Sequence, residues 1–206
     1  MMEASNEKMT DEQLLDRLAK HAGPVQSVFL AKFSRKSSID MNRALVFSAA
    51  FAGHACHRAA KEGKGNYAVV TTKDGKNFYF GDSVNRYLLE NRLSVVNFIL
   101  AASEISTEDV LSIVAEFASM IGSEDLSVCG YEPRSVYEAV SQCWEDIFDD
   151  MTSKYCDSPE EWPILFGIVL HTILQMAIDA GKPKEESGRI AVECALALSR
   201  MDKDSF

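Results

Sequence analysis

The sequence predicts a mainly α-helical fold, a single-domain bundle of roughly eight helices that carries one β-hairpin at about residues 67–81. Most of the chain consists of amphipathic or apolar segments of helical length, separated by glycine, proline or serine. One segment, residues 44–60, is almost free of charge, which is typical of a helix enclosed by others. A short stretch of β-branched and aromatic residues surrounds Asp74-Gly75, a dipeptide that favours a tight hairpin turn.

Length and composition are those of a globular protein. A chain of 206 residues, of which 47% are hydrophobic, fits one domain with a sizeable core. The net charge of −10 argues against nucleic acid and against an anionic membrane surface as partners. The first residues are polar and acidic, and the five cysteines form no CxxC motif. We therefore expect no signal peptide, reduced thiols and a cytoplasmic location.

The N-terminal part is expected to contain two short helices. Residues 1–9 are expected to form a flexible tail, with the helical domain occupying residues 10–202. Thr10 and Gln13 are spaced as a capping box, which places the first helix start at Thr10. Gly23-Pro24 is expected to end that helix, because proline removes a helical hydrogen bond. A second helix then runs to residue 33, and the basic residues 32–38 are expected to form a loop.

The central helix and the hairpin follow. The helix from residues 41–61 is expected to end near Gly63 in a left-handed conformation. A two-residue turn at Asp74-Gly75 would place Lys73 opposite Lys76, and Asp82 would cap the next helix. This turn sets the cross-strand pairs Thr71 with Phe78, Val70 with Tyr79 and Val69 with Phe80.

The later part of the chain is predicted to be helical, and its last residues, 203–206, are expected to fray. Helices are expected at residues 83–90, 93–104, 106–121, 133–151, 158–178 and 184–201. An isolated hairpin is marginally stable in water, so this one must pack on the bundle or pair its edge with a second copy. The second alternative is the reason for expecting a homodimer.

The strongest candidate metal ligands are His54 and His57. Residues three apart share a helix face, so the two imidazoles could reach one divalent metal ion. A further ligand, such as His171, would have to come from elsewhere. The structural alternative is that one histidine hydrogen-bonds in the core and the other interacts with the helix end.

A second candidate metal site is the acidic run at residues 145–150. Glu145 and Asp149 are four apart, as are the two other acids of the run. Paired carboxylates on a helix hold Mg²⁺ in some all-α hydrolases, together with facing acids, which residues 104–109 could supply. The structural alternative is a solvated acidic helix face.

The candidate ligand-binding residues are His54, Tyr79, Asp82 and His171. Tyr79 and Asp82 could line a pocket beside His54 if the hairpin folds back over the central helix. His171 belongs to a row of polar residues spaced four apart on the apolar helix 162–178. Because buried polar groups must be paired, a neighbouring helix or a dimer mate is expected to meet that row.

No established nucleophile, nucleotide-binding or metalloprotease motif is present. The sequence therefore predicts a cytoplasmic, non-enzymatic interaction or regulatory protein that binds a protein partner and forms a homodimer. One alternative is a metal-dependent all-α hydrolase that uses His54 and His57 or the carboxylates of residues 145–150. Another is a small-ligand carrier with a cavity near Phe47, Phe51 and Tyr79. The sequence identifies no cofactor beyond the divalent metal that the hydrolase alternative requires.

Overall fold

The computed structural model describes residues 9–35, 38–123 and 126–206. It is 71% helical, which confirms the predicted mainly α fold, and it contains the hairpin. The helical segments labelled below number seven helices once neighbouring segments are joined. The helix count is one lower than the rough prediction of eight. Of the predicted flexible tail, residues 1–8 lie outside the described residues.

The elements follow one another in this order. The helices are α1 (Asp11–Phe33), α2 (Met41–Glu62), α3 (Asp82–Asn85), α4 (Val95–Ala102), α5 (Thr107–Met120), α6 (Pro133–Cys143), α7 (Asp149–Tyr155), α8 (Trp162–Asp179) and α9 (Lys184–Ser199). A π-helical turn (Arg86–Glu90) extends α3, another (Trp144–Phe148) joins α6 to α7, and a 3-10 turn (Pro159–Glu161) leads into α8. The strands are β1 (Ser34–Arg35), β2 (Ser38–Ile39), β3 (Ala68–Thr71) and β4 (Asn77–Phe80).

Helix α1 is continuous, so the predicted break at Gly23-Pro24 is wrong. The side chains of Ala22, Val25 and Phe29, which flank the proline, are all buried. Packing of this face on the bundle outweighs the hydrogen bond that Pro24 removes. The helix start is as expected: Thr10 and Gln13 each accept a hydrogen bond from the other's backbone N–H.

Helix α2 is enclosed by the rest of the bundle, as the nearly uncharged residues 44–60 indicate, and it packs mainly against α8 and α9. The crossing with α9 is very close, since a Cβ on Gly53 would lie only 2.0 Å from the carbonyl oxygen of Ala195. Only glycine allows the two backbones to approach this far. At the end of α2, the left-handed residue is Lys64 (φ 52°) rather than the expected Gly63 (φ −71°).

The hairpin is present, but its register differs by one residue from the prediction. The paired residues are Ala68 with Phe80, Val69 with Tyr79, Val70 with Phe78 and Thr71 with Asn77. The loop contains three residues rather than two, because Thr72 pairs with Lys76 and Gly75 adopts a positive φ of 85°. Lys73 therefore does not oppose Lys76, whose ammonium lies 3.1 Å from the carboxylate of Asp74.

A second, very short antiparallel pair forms where a loop was expected. Strands β1 and β2 pair Ser34 with Ile39 and Arg35 with Ser38. The pair connects the end of α1 to the start of α2, where the Asp40 side chain accepts a hydrogen bond from the Arg43 backbone N–H.

The hairpin packs on its own chain along β4. The outer backbone edge of β4 donates hydrogen bonds from Asn77 to Asp204 and from Tyr79 to Arg200, each at 2.8 Å. Phe78, between them, is buried. All four residues of β3 are exposed.

The last residues, which the sequence predicts to fray, make specific contacts. We call residues 200–206 the C-terminal segment. Ser205 is buried and its hydroxyl donates to the carbonyl oxygen of Asn77. The Phe206 ring lies 5.4 Å from the ring of Tyr137 on α6. These contacts hold the end of the chain between the hairpin and the bundle.

The 3-10 turn before α8 and α8 itself form one long apolar helical segment. Among the described residues, Pro159–Asp179 is long and apolar enough to cross a membrane by length and composition. Core helices of soluble bundles meet the same criteria, and half of this helix is buried within the fold. It packs against α1, α2 and α4.

Candidate functional site

The two histidines singled out by the sequence lie on the buried side of α2, and each is only 2% exposed. Their surroundings differ. His57 faces the C-terminal segment, whereas His54 lies one turn earlier among aromatic rings. Within the described residues, no three side chains of histidine, cysteine, aspartate or glutamate are close enough together to hold a metal ion.

His57 belongs to a hydrogen-bonded group centred on Asp202. One Asp202 carboxylate oxygen lies 3.4 Å from Nε2 of His57 and accepts a 2.6 Å hydrogen bond from the Lys61 ammonium. The other oxygen accepts hydrogen bonds from the Tyr137 hydroxyl at 2.9 Å and the Lys203 backbone N–H at 2.7 Å. We call these residues the Asp202 cluster.

The carboxylate of Asp202 is held in its charged form. Burial by itself raises the pKa of this group, but the hydrogen bonds from His57, Lys61, the Lys203 backbone and Tyr137 outweigh that effect. The pKa of Asp202 therefore lies well below its ordinary value. The cluster ties the C-terminal segment to α2 and α6 by charge-assisted hydrogen bonds.

His54 is held in its neutral form. Neither ring nitrogen hydrogen-bonds to a described residue. The imidazole meets the rings of Tyr137 and Trp144 edge to face, with centroid distances of 5.9 and 5.5 Å. Burial, reinforced by the nearby charges of His57 and Arg58, lowers the pKa of His54 from 6.5 to about 3. His54 therefore fills an aromatic space as an uncharged ring.

The four predicted ligand-binding residues are not brought together in one pocket. Tyr79 does lie over α2, with its ring centroid 5.1 Å from that of His57, so the hairpin folds back as the pocket hypothesis required. Its hydroxyl, however, donates to the carboxylate of Asp204. His171 is half-buried on α8, and its Nδ1 lies 3.0 Å from the carbonyl oxygen of Phe98 on α4.

Asp82 has a different role from the one expected. It is the first residue of α3 rather than its cap, and no side chain caps this helix. The preceding residue, Gly81, adopts a φ of 143°, and a Cβ there would lie 2.4 Å from the carbonyl oxygen of Asn66. Asp82 lines a cavity of about 280 Å³ with Gly65, Ser83 and other residues of the α2–α3 connection. His54, Tyr79 and His171 do not line it.

The rest of the polar row on α8 is solvent-facing. Gln175 and Asp179 are exposed and hydrogen-bond to each other at 3.1 Å. His171, in contrast, meets a neighbouring helix, because its Nδ1 is within hydrogen-bonding distance of the carbonyl oxygen of Phe98 on α4. Gly167, one turn before His171, accommodates the ring of Phe98, since a Cβ would lie 2.5 Å from that ring.

The acidic run is an exposed surface. Glu145 and Asp149 are both exposed, and so are the two other acids of the run. A π-helical turn, Trp144–Phe148, falls within the run and changes the spacing on which the predicted carboxylate pair depends. Two of the acids proposed to face them are engaged elsewhere: Glu104 accepts a hydrogen bond from Lys184, and Asp109 completes the capping box of α5.

The region proposed for a carried ligand is filled by side chains. Phe51 is fully buried, and its ring lies 5.0 Å from Phe29, 5.0 Å from Phe148 and 6.0 Å from Phe166. Phe47 meets the ring of Tyr131 at 6.3 Å. A cavity of about 500 Å³ lies at a different place, beside the start of α1 and the 3-10 turn before α8.

Sequence reasoning missed Asp202 and Tyr137, the residues that explain the environment of His57. Asp202 stands in a short polar stretch after the last helix, a pattern typical of a mobile end. One local signal existed: Asp202 and Ser205 are three apart, and the Asp202 N–H donates to the Ser205 hydroxyl at 3.0 Å. Its partners are remote in sequence, so their identity followed only from the fold.

No protein-family model matches this chain, and no curated protein or solved structure shows significant similarity to it. The functional interpretation therefore depends on the geometry of the chain itself.

Proposed function

We propose that this protein is a cytoplasmic, non-enzymatic interaction or regulatory protein that acts through protein binding and forms a homodimer. The observation that carries the proposal is the open edge of β3. His57, one of the residues that suggested metal binding, lies instead beside the carboxylate of Asp202 in the Asp202 cluster.

The two edges of the hairpin differ in what covers them. The outward backbone groups of β4 belong to Asn77 and Tyr79, and the C-terminal segment accepts their hydrogen bonds. In an antiparallel pair the residues opposite these two, Thr71 and Val69, also direct their backbone groups outward. Among the described residues, none forms a hydrogen bond with the backbone of Val69 or Thr71. Strand β3 therefore offers unpaired donors and acceptors.

The side chains of β3 add an apolar surface to this edge. Val69 is 49% exposed and Val70 is 45% exposed, and they point to opposite faces of the hairpin. An exposed edge strand with β-branched side chains is a template for pairing with another strand. No lysine, proline or bulge interrupts the edge between Ala68 and Thr71.

A second copy of the chain is the partner we propose for this edge. Two β3 strands related by a twofold axis would pair antiparallel and form a continuous four-stranded sheet, in the order β4-β3-β3-β4. Each copy would contribute the same surface, as in an isologous dimer. Strand addition supplies main-chain hydrogen bonds, and the valines of both copies would pack on each side.

The test is the mass of the protein in solution, measured by sedimentation equilibrium. We expect the wild-type protein to have twice the mass of the chain, and Val69→Lys to have the mass of one chain. Val69→Pro should also be monomeric, because it removes an outward N–H without removing a hydrogen bond within the hairpin.

The matched control is Leu111→Lys. Leu111 is 63% exposed on α5, so the variant also replaces an exposed apolar residue by lysine. We expect it to remain dimeric. A monomeric wild-type protein, or a dimer that persists in both Val69 variants, would contradict the proposed interface.

A further inference from the structure

The loop between α5 and α6 contains an unusual cysteine conformation. Val128 and Tyr131 exchange backbone hydrogen bonds, both of 2.9 Å, across Cys129 and Gly130. Both central residues have positive φ, 51° for Cys129 and 81° for Gly130, which defines a type I′ turn. Such a position favours glycine, asparagine or aspartate, and a cysteine there is uncommon.

The turn directs the thiol of Cys129 at a second cysteine. Cys194, on α9, is fully buried, and the two Sγ atoms are 2.8 Å apart. That distance exceeds the S–S bond length of about 2.05 Å by less than an ångström. Cys129 is half-buried and lies 3.6 Å from the carboxylate of Glu193. Among the described residues, no other two cysteines have their thiols in contact.

We propose that Cys129 and Cys194 form a redox pair that a peroxide converts to an intramolecular disulfide. The pair is a modification site within the interaction protein, and it does not depend on the proposed dimer. Two features support it: the two sulfurs are 2.8 Å apart, and Cys129 adopts a left-handed backbone conformation that is unfavourable for cysteine.

The reaction proceeds in two steps. The Cys129 thiolate attacks one oxygen of the peroxide, so that an S–O bond forms, the O–O bond breaks and water leaves after protonation. The Cys194 sulfur then attacks the sulfenic sulfur of Cys129, the S–S bond forms, and the S–O bond breaks. The hydroxide released takes up the proton that Cys194 loses. In total, two thiols and one hydrogen peroxide give one disulfide and two waters.

The environment assigns the order of the two cysteines. Burial and the hydrogen bond to Cys129 raise the pKa of Cys194 well above its ordinary value, so Cys194 stays protonated. Cys129 is the partly exposed member of the pair and therefore meets the peroxide first. Cys194 is the residue that resolves the sulfenic acid.

The disulfide would connect a surface loop to the core of the bundle. The loop lies beside the hairpin, since a Cβ on Gly122 would be 3.0 Å from the side chain of Thr72. It also contacts α2, where the ring of Tyr131 meets that of Phe47. Oxidation would link this loop covalently to α9, through two cysteines that are 65 residues apart in the sequence.

The experiment treats the full chain with hydrogen peroxide and counts its free thiols before and after. We expect the count to fall from the five free thiols of the reduced protein to three. The intact mass should fall by that of two hydrogen atoms, and dithiothreitol should reverse the change. Peptide mapping should show Cys129 linked to Cys194 within one chain.

Two variants and a control complete the test. After peroxide treatment, Cys129→Ser should keep all its free thiols. Cys194→Ser should form no disulfide and should instead gain one oxygen atom at Cys129. The control Cys156→Ser, which removes another half-buried thiol, should still lose two thiols. Retention of all thiols by the wild-type protein, oxidation without a disulfide, or a link between two chains would overturn the proposal. The peptide map of the oxidised wild-type protein identifies the linked cysteines directly. The proposal can therefore be tested even if a variant does not fold.

Discussion

The two strands of the hairpin have the same length but opposite environments. Strand β4 has its backbone edge covered by the C-terminal segment and its Phe78 side chain buried in the core. Strand β3 has four exposed residues and an edge with no described partner. Strand β3 consists of small and β-branched residues and β4 of three aromatic residues and an asparagine, and both kinds of sequence favour a strand.

The difference shows that one strand of the hairpin attaches it to the bundle, whereas the other strand faces solvent. Its β4 side is attached to the bundle, because Phe78 is buried in the core, the Tyr79 ring meets His57 on α2, and the backbone edge bonds to the C-terminal segment. Its β3 side contributes little to that core and is free to meet another molecule. Substitutions on the two sides should therefore separate stability from association.

The largest expected difference in stability between the two strands is at one cross-strand pair. Phe78 and Val70 lie directly opposite each other, with exposures of 2% and 45%. We expect Phe78→Ala to lower the free energy of unfolding by about 3–4 kcal/mol, since it leaves a cavity in the core. Val70→Ala should lower it by less than about 1 kcal/mol. Urea denaturation of both variants measures this, and equal losses would contradict the assigned environments.

The second prediction concerns the attachment of β4 through the C-terminal segment. Asp202→Asn removes a buried charge that accepts hydrogen bonds from Lys61, Tyr137 and His57. We expect a loss of about 3 kcal/mol at neutral pH, because partner groups lose a charged acceptor. Asp204→Asn, at an exposed carboxylate on the same segment, is the control and should cost less.

The effect of Asp202→Asn should depend on pH. The folded pKa of Asp202 is lower than its unfolded value of about 3.9, so the stabilisation is complete above that value. It is lost as the pH falls from about 4 towards the folded pKa. The difference between wild type and variant should thus be constant near neutrality and shrink in acid. A difference that grows in acid would refute the assigned charge state.

The third prediction uses His54, which lies beside the Asp202 cluster without belonging to it. The folded pKa of His54, about 3, is below the unfolded value of 6.5, so the unfolded chain binds the extra proton between these values. Stability should therefore fall as the pH falls below about 6.5, by roughly 1–2 kcal/mol at about pH 5.

His54→Phe should remove this dependence, since a phenyl ring fits between Tyr137 and Trp144 and does not titrate. Thermal unfolding of both proteins between about pH 7.5 and 5 measures it, with dithiothreitol present to keep the thiols reduced. If the variant and the wild type lost stability in parallel, His54 would not be the group responsible.

The helical character and the enclosed α2 were predictable because they follow from local periodicity and composition. Residues 44–60 carry a single charged side chain, Arg58, and almost all the others are buried. The errors occurred where tertiary contacts or loop length outweighed local preference. Pro24 stays within α1 because the flanking apolar residues are buried, and Gly75 adds a third loop residue that shifts the hairpin register.

The candidate site was predicted only in part. The buried positions of His54 and His57 agree with their place in the nearly uncharged part of α2. Their different partners could not be derived, because Asp202 and Tyr137 are distant in sequence from both. The same is true of Cys129 and Cys194, which are 65 residues apart and meet through a turn that the sequence marks only by Cys129-Gly130.

The sequence by itself determined the mainly α fold, the buried central helix and the existence of the hairpin. These properties depend on side-chain periodicity over one or two turns or strands, which neighbouring residues define. Only the tertiary structure decided which hairpin edge is covered, which histidine is paired and which cysteines meet. Each of those contacts joins residues far apart in the chain, and the packing of the whole bundle sets the distance between them.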